Sequence, residues 1–138
     1  MQGPPDGFRL RAMRSPSPAA VVFVADVPRV TAFYRTLFRM QTLEGDATYT
    51  VLERDGVQFT IHGLRGEPAP AGGVREDAYL KVCFPVDSLA AVRAQAAALG
   101  GAVRPAEHEW ESESRGFRAC DGHDPEGNVF QVREPLAG

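Results

Sequence analysis

Cysteine is nearly missing from this sequence: Cys83 and Cys120 are the two present in 138 residues. They are not in a Cys-x-x-Cys spacing, which excludes a disulfide scaffold and the common zinc and redox motifs. Each lies in a strand-like run, so two small buried apolar side chains are expected. A disulfide is the alternative, and a reducing compartment disfavours it. Long apolar runs are also absent. Nothing approaches the ~20 residues needed to cross a bilayer, and the N-terminus has no continuous apolar region of a secretory signal, so a cytoplasmic protein off the membrane is expected. The formal net charge is −3, with no basic cluster against it. Nucleic acid, which demands a phosphate-neutralising surface, is therefore excluded as a partner. Neither a Gly-x-Ser-x-Gly nucleophile turn nor a phosphate-cradling glycine loop occurs.

What remains is an ordinary globular balance, 43% hydrophobic and 24% charged, sized for one domain. Residues 1–18 carry Pro4, Pro5, Pro16 and Pro18 without a sustained period and read as a flexible leader. Ala19 to Ala25 is a β-branched strand, and Asp26 follows as a helix cap with Pro28 tolerated in the first turn. Val27, Val30, Phe33, Tyr34, Leu37 and Phe38 recur at helical spacing, so this aromatic stripe reads as core. Thr48 to Glu53 and Val57 to His62 are strands joined at Asp55-Gly56, a strong hairpin signal.

The segment 64–77, with Pro68, Pro70 and three glycines, reads as a linker. After it Tyr79 to Val86 reads as a strand, and Asp87 or Ser88 caps a helix with Leu89, Val92, Ala96 and Leu99 on one face. Gly100-Gly101 ends that helix. Ala102 to Arg104 and Gly116 to Cys120 are short strands. Asp124-Pro125-Glu126-Gly127 supplies a tight turn into a last strand through Val129, Phe130 and Val132. The order strand, Asp, helix, short strand, hairpin thus occurs twice, which implies internal duplication. Module one spans residues 19–63 and module two residues 78–134 of a single domain over 19–138. Two such units can curl into a concave surface.

Three stretches carry a resemblance. They are Val24-Ala25-Asp26-Val27 running into Phe33-Tyr34-Arg35-Thr36-Leu37; Val86-Asp87-Ser88-Leu89 into Leu99-Gly100-Gly101; and Asp124-Pro125-Glu126-Gly127-Asn128 with Phe130-Gln131-Val132. Over Ala19 to Glu134 the chain resembles the vicinal oxygen chelate superfamily, which contains glyoxalase I, extradiol dioxygenases and the bleomycin-resistance binding proteins. The resemblance implies an α+β fold: two tandem βαβββ modules forming an open, U-shaped mixed β-barrel with helices outside, frequently as a homodimer.

It also bears on chemistry, because metal-binding members place one ligand on the first and one on the last strand of each module. Those positions fall here on Ala19, Thr60, Lys81 and Gln131. Ala19 has no donor, Thr60 is a poor neutral ligand, and Lys81 brings positive charge where a cation would sit. No metal and no cofactor is expected at these positions.

Other residues are read singly. His62 ends a strand, either near the cleft mouth or simply solvated, and His123 sits in the turn, where exposure is expected. The segment from Glu107 to Ser114, with His108 amid carboxylates, is expected to be a solvated acidic loop rather than a metal cluster. Trp110 lies in that polar segment and either contacts a ligand or pins the loop to the core. Arg115 and Arg118 flank Gly116-Phe117 and read as surface charge or as partners for an anion.

The resemblance to the bleomycin-resistance branch implies a metal-free, non-catalytic protein. It would sequester a small organic ligand in an aromatic-lined cleft walled by Phe59, Tyr79, Lys81, Trp110, Phe117 and Gln131, with His62 nearby. Two alternatives stay open. One is an enzyme, either a metal-dependent lyase, isomerase or dioxygenase with displaced ligands, or a metal-independent catalyst using Lys81 or His62. The other is a dimeric interaction module with an empty cleft.

Overall fold

A computed structural model describes residues 18–66 and 78–137. Its organisation starts from local turn and cap chemistry. Asp55 and Gly56 take φ of 53° and 82°, the left-handed pair of a two-residue hairpin that suits the strand twist. They join β3 (Tyr49–Arg54) to β4 (Val57–Gly63). Upstream, β1 (Ala19–Val24) leads into α1 (Val27–Leu37), where Asp26 accepts from the Arg29 N–H at 3.1 Å. The short strand β2 (Gln41–Gly45) follows. The first sheet runs β1-β4-β3-β2, with β1 parallel to β4 and the other pairs antiparallel.

The second sheet begins with β5 (Val82–Pro85) and α2 (Leu89–Ala98). Ser88, not Asp87, caps α2, accepting from the Ala91 N–H at 3.1 Å. Gly100 ends it at φ +93°. Beside it Gly101 has no room for a side chain: a Cβ would lie 2.5 Å from the Phe33 ring. Then come β6 (Ala102–Val103), a 3-10 turn (Ala106–His108), β7 (Trp110–Ser112), β8 (Phe117–His123) and β9 (Val129–Pro135). The order is β5-β9-β8-β6, with β7 also on β8 and β5 parallel to β9.

One core lies between the helices and the inner faces of both sheets. Phe33, Tyr34, Phe38, Leu52, Phe59, Ile61, Phe84, Phe130 and Val132 are all buried in it. Phe38 stacks on Phe84 with centroids 4.0 Å apart, and Tyr34 meets Phe59 edge-on at 4.7 Å. The closing turn ties the two halves together. Asp124 is fully buried and accepts from the Glu126 and Asn128 N–H groups, the Asn128 amide and, at 2.8 Å, the Tyr34 hydroxyl. Glu126 reaches across to the Ala25 and Asp26 N–H groups, both at 2.7 Å. Burial and the adjacent Asp124 carboxylate hold the Tyr34 phenol well above its ordinary pKa.

Several expectations change. The expected leader lies outside the described residues apart from Pro18, as does the expected linker beyond Gly66. The strand expected from Tyr79 starts only at Val82, and Tyr79 is fully exposed outside it. The segment around Trp110 is no loop: it adds β7 against β8. The two cysteines differ from each other, Cys120 buried and Cys83 exposed, and both are free. Among the described residues no helix is long and apolar enough to cross a membrane.

Candidate functional site

Side chains alternate across a strand, so every residue of β4 or β9 belongs either to the core or to the opposite, open face. On the first sheet the core takes Ala20, Val22, Val24, Phe59 and Ile61. The open face therefore carries Ala19, Val21 and Phe23, with Thr60 beside Val21 and His62 beside Phe23. Phe59 is thus corrected from cleft wall to core: it is buried against Tyr34 and Phe84. Phe59 and Thr60 are neighbours in one strand and cannot line the same cleft. His62 lies between Phe23 and Tyr49, at 5.5 and 6.2 Å between centroids, with Nδ1 2.7 Å from the Gly63 carbonyl. Tyr79, fully exposed before β5, walls nothing.

The second sheet brings the remaining candidates together. Gln131 on β9 lies beside Cys83 on β5 and Asp121 on β8, and Arg133 lies beside Pro85 and Ala119. A continuous chain of polar contacts runs over this face. Lys81 donates to Asp121 at 2.7 Å, and the other Asp121 oxygen accepts from the Gln131 amide at 3.3 Å. The Gln131 carbonyl oxygen accepts from Arg133 Nε at 2.7 Å. The Arg133 guanidinium then lies over the Phe117 ring, 4.3 Å from its centroid, with Arg115 at 4.8 Å from the same ring. Trp110, half exposed, meets Phe117 edge-on at 5.7 Å.

Gln131 is buried despite its amide, which is consistent with both its ends being hydrogen-bonded. Lys81, Trp110, Phe117 and Gln131 thus share one face, while Phe59, Tyr79 and His62 do not join them. Asp121 and Arg133 went unread in the sequence. Their signal was available: a hairpin closed by Asp124 to Asn128 sets Asp121 opposite Gln131, and alternation puts Arg133 on the same side.

Below this face a groove of about 360 Å3 is lined by Phe117, Arg133, Pro85, Pro135, Val86 and Arg54, among others. Two carboxylates of the acidic segment are paired locally. Glu109 pairs with Arg93 at 2.6 Å, and Arg118 bridges Glu111 and Glu134. Hydrogen bonding and charge from Glu111 push the Arg118 pKa up. Arg118 is therefore committed, whereas Arg133 pairs with no carboxylate among the described residues.

The four positions that the superfamily resemblance marks for a metal fail on donor chemistry. Ala19 and Thr60 bring a methyl group and a neutral hydroxyl on the first sheet. On the second, the Lys81 ammonium is seated on Asp121 and the Gln131 amide is already engaged at both ends. A divalent cation needs anionic or imidazole donors, and an ammonium among them opposes it. Among the described residues no group of three or more His, Cys, Asp or Glu side chains is placed to hold an ion.

Residues 19–133 match the model of the glyoxalase-like domain family. No curated protein matches the sequence. Solved structures do match in shape. A glyoxalase/bleomycin resistance protein/dioxygenase family enzyme from Burkholderia phytofirmans PsJN is 20% identical, covering 86% of this chain and 97% of its own, with a TM-score of 0.67. An integron cassette protein from the mobile metagenome of V. cholerae is 22% identical over 87% and 94%, with a TM-score of 0.61. The fosfomycin resistance protein FosX from Listeria monocytogenes, in a mutant form complexed with Mn(II) and 1S,2S-dihydroxypropylphosphonic acid, is 16% identical over 89% and 93%, with a TM-score of 0.61. At such identities these likenesses establish a shared fold. The family match spans both sheets and both helices, and with it this chain belongs to the glyoxalase-like family of the vicinal oxygen chelate superfamily.

Proposed function

We propose that this chain is a metal-free small-molecule-binding protein that holds an organic compound against the open face of its second sheet. In this reading the two modules form an open, U-shaped barrel, and two chains pair as a homodimer in the cytosol. The observation that carries it is Lys81 Nζ, 2.7 Å from Asp121, with Gln131 locked on the other carboxylate oxygen. An ammonium held on Asp121 at a superfamily ligand position takes the place a divalent cation would need, and its remaining N–H donors can orient a ligand without activating water. Trp110, half exposed and backed by the buried Phe117, offers aromatic surface for stacking. The partly exposed Val21 and Phe23 on edge strand β1 offer apolar area to a second copy.

The test is thermal unfolding with a panel of planar organic compounds, once in EDTA and once with Mn(II), Zn(II) or Ni(II). Binders are expected to raise Tm in EDTA, by an amount equivalent to about 2.7 kcal/mol at a hundred times Kd. The metals alone are expected to leave Tm unchanged. Stoichiometric metal retained through dialysis, or stabilisation that requires metal, overturns the reading. It would favour a metal-dependent lyase, isomerase or dioxygenase; FosX, similar in fold, is a neighbour complexed with Mn(II).

A further inference from the structure

The groove beneath Arg133 has a feature the binding reading does not require: a guanidinium that is held in place but not neutralised. Its Nε–H is spent on Gln131 at 2.7 Å, and its plane is fixed over Phe117. Its four terminal N–H groups find no acceptor among the described residues, and no carboxylate there pairs with it. The other charged groups around the groove are largely spoken for. Arg54 donates to the Phe38 carbonyl at 2.7 Å and sits near Asp55, and Glu134 accepts from the Leu89 N–H and Arg118. Asp87 lines the groove but is exposed.

A planar fork of N–H donors whose orientation is already fixed matches a carboxylate in bidentate geometry, with little side-chain entropy left to lose on binding. The rest of the groove is apolar: Phe117, Pro85, Pro135 and Val86. We propose that this groove binds a small organic acid, its carboxylate on the terminal nitrogens of Arg133 and its apolar body along Phe117, Pro85 and Pro135. The inference rests on the ligand-binding reading and names the ligand class and the orienting residue. Gln131 is a positioning residue, since it acts by fixing the guanidinium, and Asp121 holds the Gln131 amide in turn.

The single tryptophan supplies the readout, because Trp110 touches Phe117, the floor of the groove. Titration of the full chain with phenylacetate, followed by Trp110 fluorescence, is expected to saturate. The neutral isostere phenylacetamide is expected to bind at least tenfold more weakly, and Arg133→Gln to lower phenylacetate affinity at least tenfold. Gln131→Glu sets a carboxylate against Arg133 Nε and is expected to weaken phenylacetate while sparing phenylacetamide. If Arg133→Gln does not fold, the acid-against-amide ratio in the native chain still decides. Equal binding of acid and amide overturns the proposal, as does saturation by inorganic phosphate at the affinity of phenylacetate, or no saturable binding of phenylacetate. If panel compounds still raise Tm in EDTA, equally in the native chain and in Arg133→Gln, only this assignment fails and the binding function stands.

Discussion

On the first sheet the open face is neutral where it is most accessible. Val21 and Phe23 are 49% and 45% exposed, and His62 sits between two aromatic rings. On the second sheet the same strand path, an edge strand parallel to its neighbour and that neighbour closing a hairpin, carries a chain of charge and amide from Lys81 to Arg133. The closing turns differ in the same way. Asp55-Gly56 is exposed, whereas Asp124 is buried under three hydrogen-bond donors of its own turn and a tyrosine hydroxyl from the other half. Topology fixes which residues share a face. What that face can do depends on which of them find partners.

The sharpest way to break this comparison is at the two turns. Asp124→Ala leaves the Tyr34 hydroxyl and the turn N–H groups buried and unpaired, and is expected to cost about 3–5 kcal/mol in urea unfolding. Asp55→Ala, at an exposed left-handed position, is expected to cost about 1 kcal/mol. Equal losses would mean that the second turn is no keystone.

Next in size is Tyr34→Phe, expected to cost about 1–3 kcal/mol at neutral pH. It also carries a pH signature. The folded-state pKa of Tyr34 is raised above 10.0, so its contribution is fully present below the unfolded value and is lost as pH rises beyond about 10. In Tyr34→Phe the fall of stability on the alkaline side is expected to be shallower, measured as Tm between pH 8 and 11. An unchanged slope would show that the phenol does not hold its proton in the fold.

The smallest effects belong to the open faces themselves. Lys81→Met removes one partner of a half-exposed pair and is expected to change stability by no more than about 1 kcal/mol. Phe23→Ser on the first sheet is expected to stay within about 0.5 kcal/mol per chain. In sedimentation the same variant is expected to raise the monomer fraction if β1 lies in the dimer interface. A large loss from Lys81→Met would move the polar chain from ligand site to structural network.

Much of the fold was legible because its signals are local. Asp26 as cap, the Asp55-Gly56 hairpin, the stripe Val27 to Phe38 and the stop at Gly100 each depend on a few neighbouring residues and on backbone sterics. The site was legible in part. Lys81 and Gln131 share one face of the second sheet through Asp121, but Phe59 falls on the core face, as its neighbour Thr60, which takes the open one, already implies. Tyr79 was assigned to a strand that starts three residues later. Trp110 was read as loop because β7 owes its pairing to β8 rather than to its own propensity.

By itself, then, the sequence determined both helices, the two hairpin turns and the residue types at the four marked positions, none of them His, Asp or Glu, since residue identity and local geometry suffice for those. Only the tertiary structure decided that Arg118 is neutralised while Arg133 is not, that Asp124 is buried, and that Cys83 faces outward. Each of these depends on what a distant strand brings within about 3 Å, the range at which a hydrogen bond forms or fails.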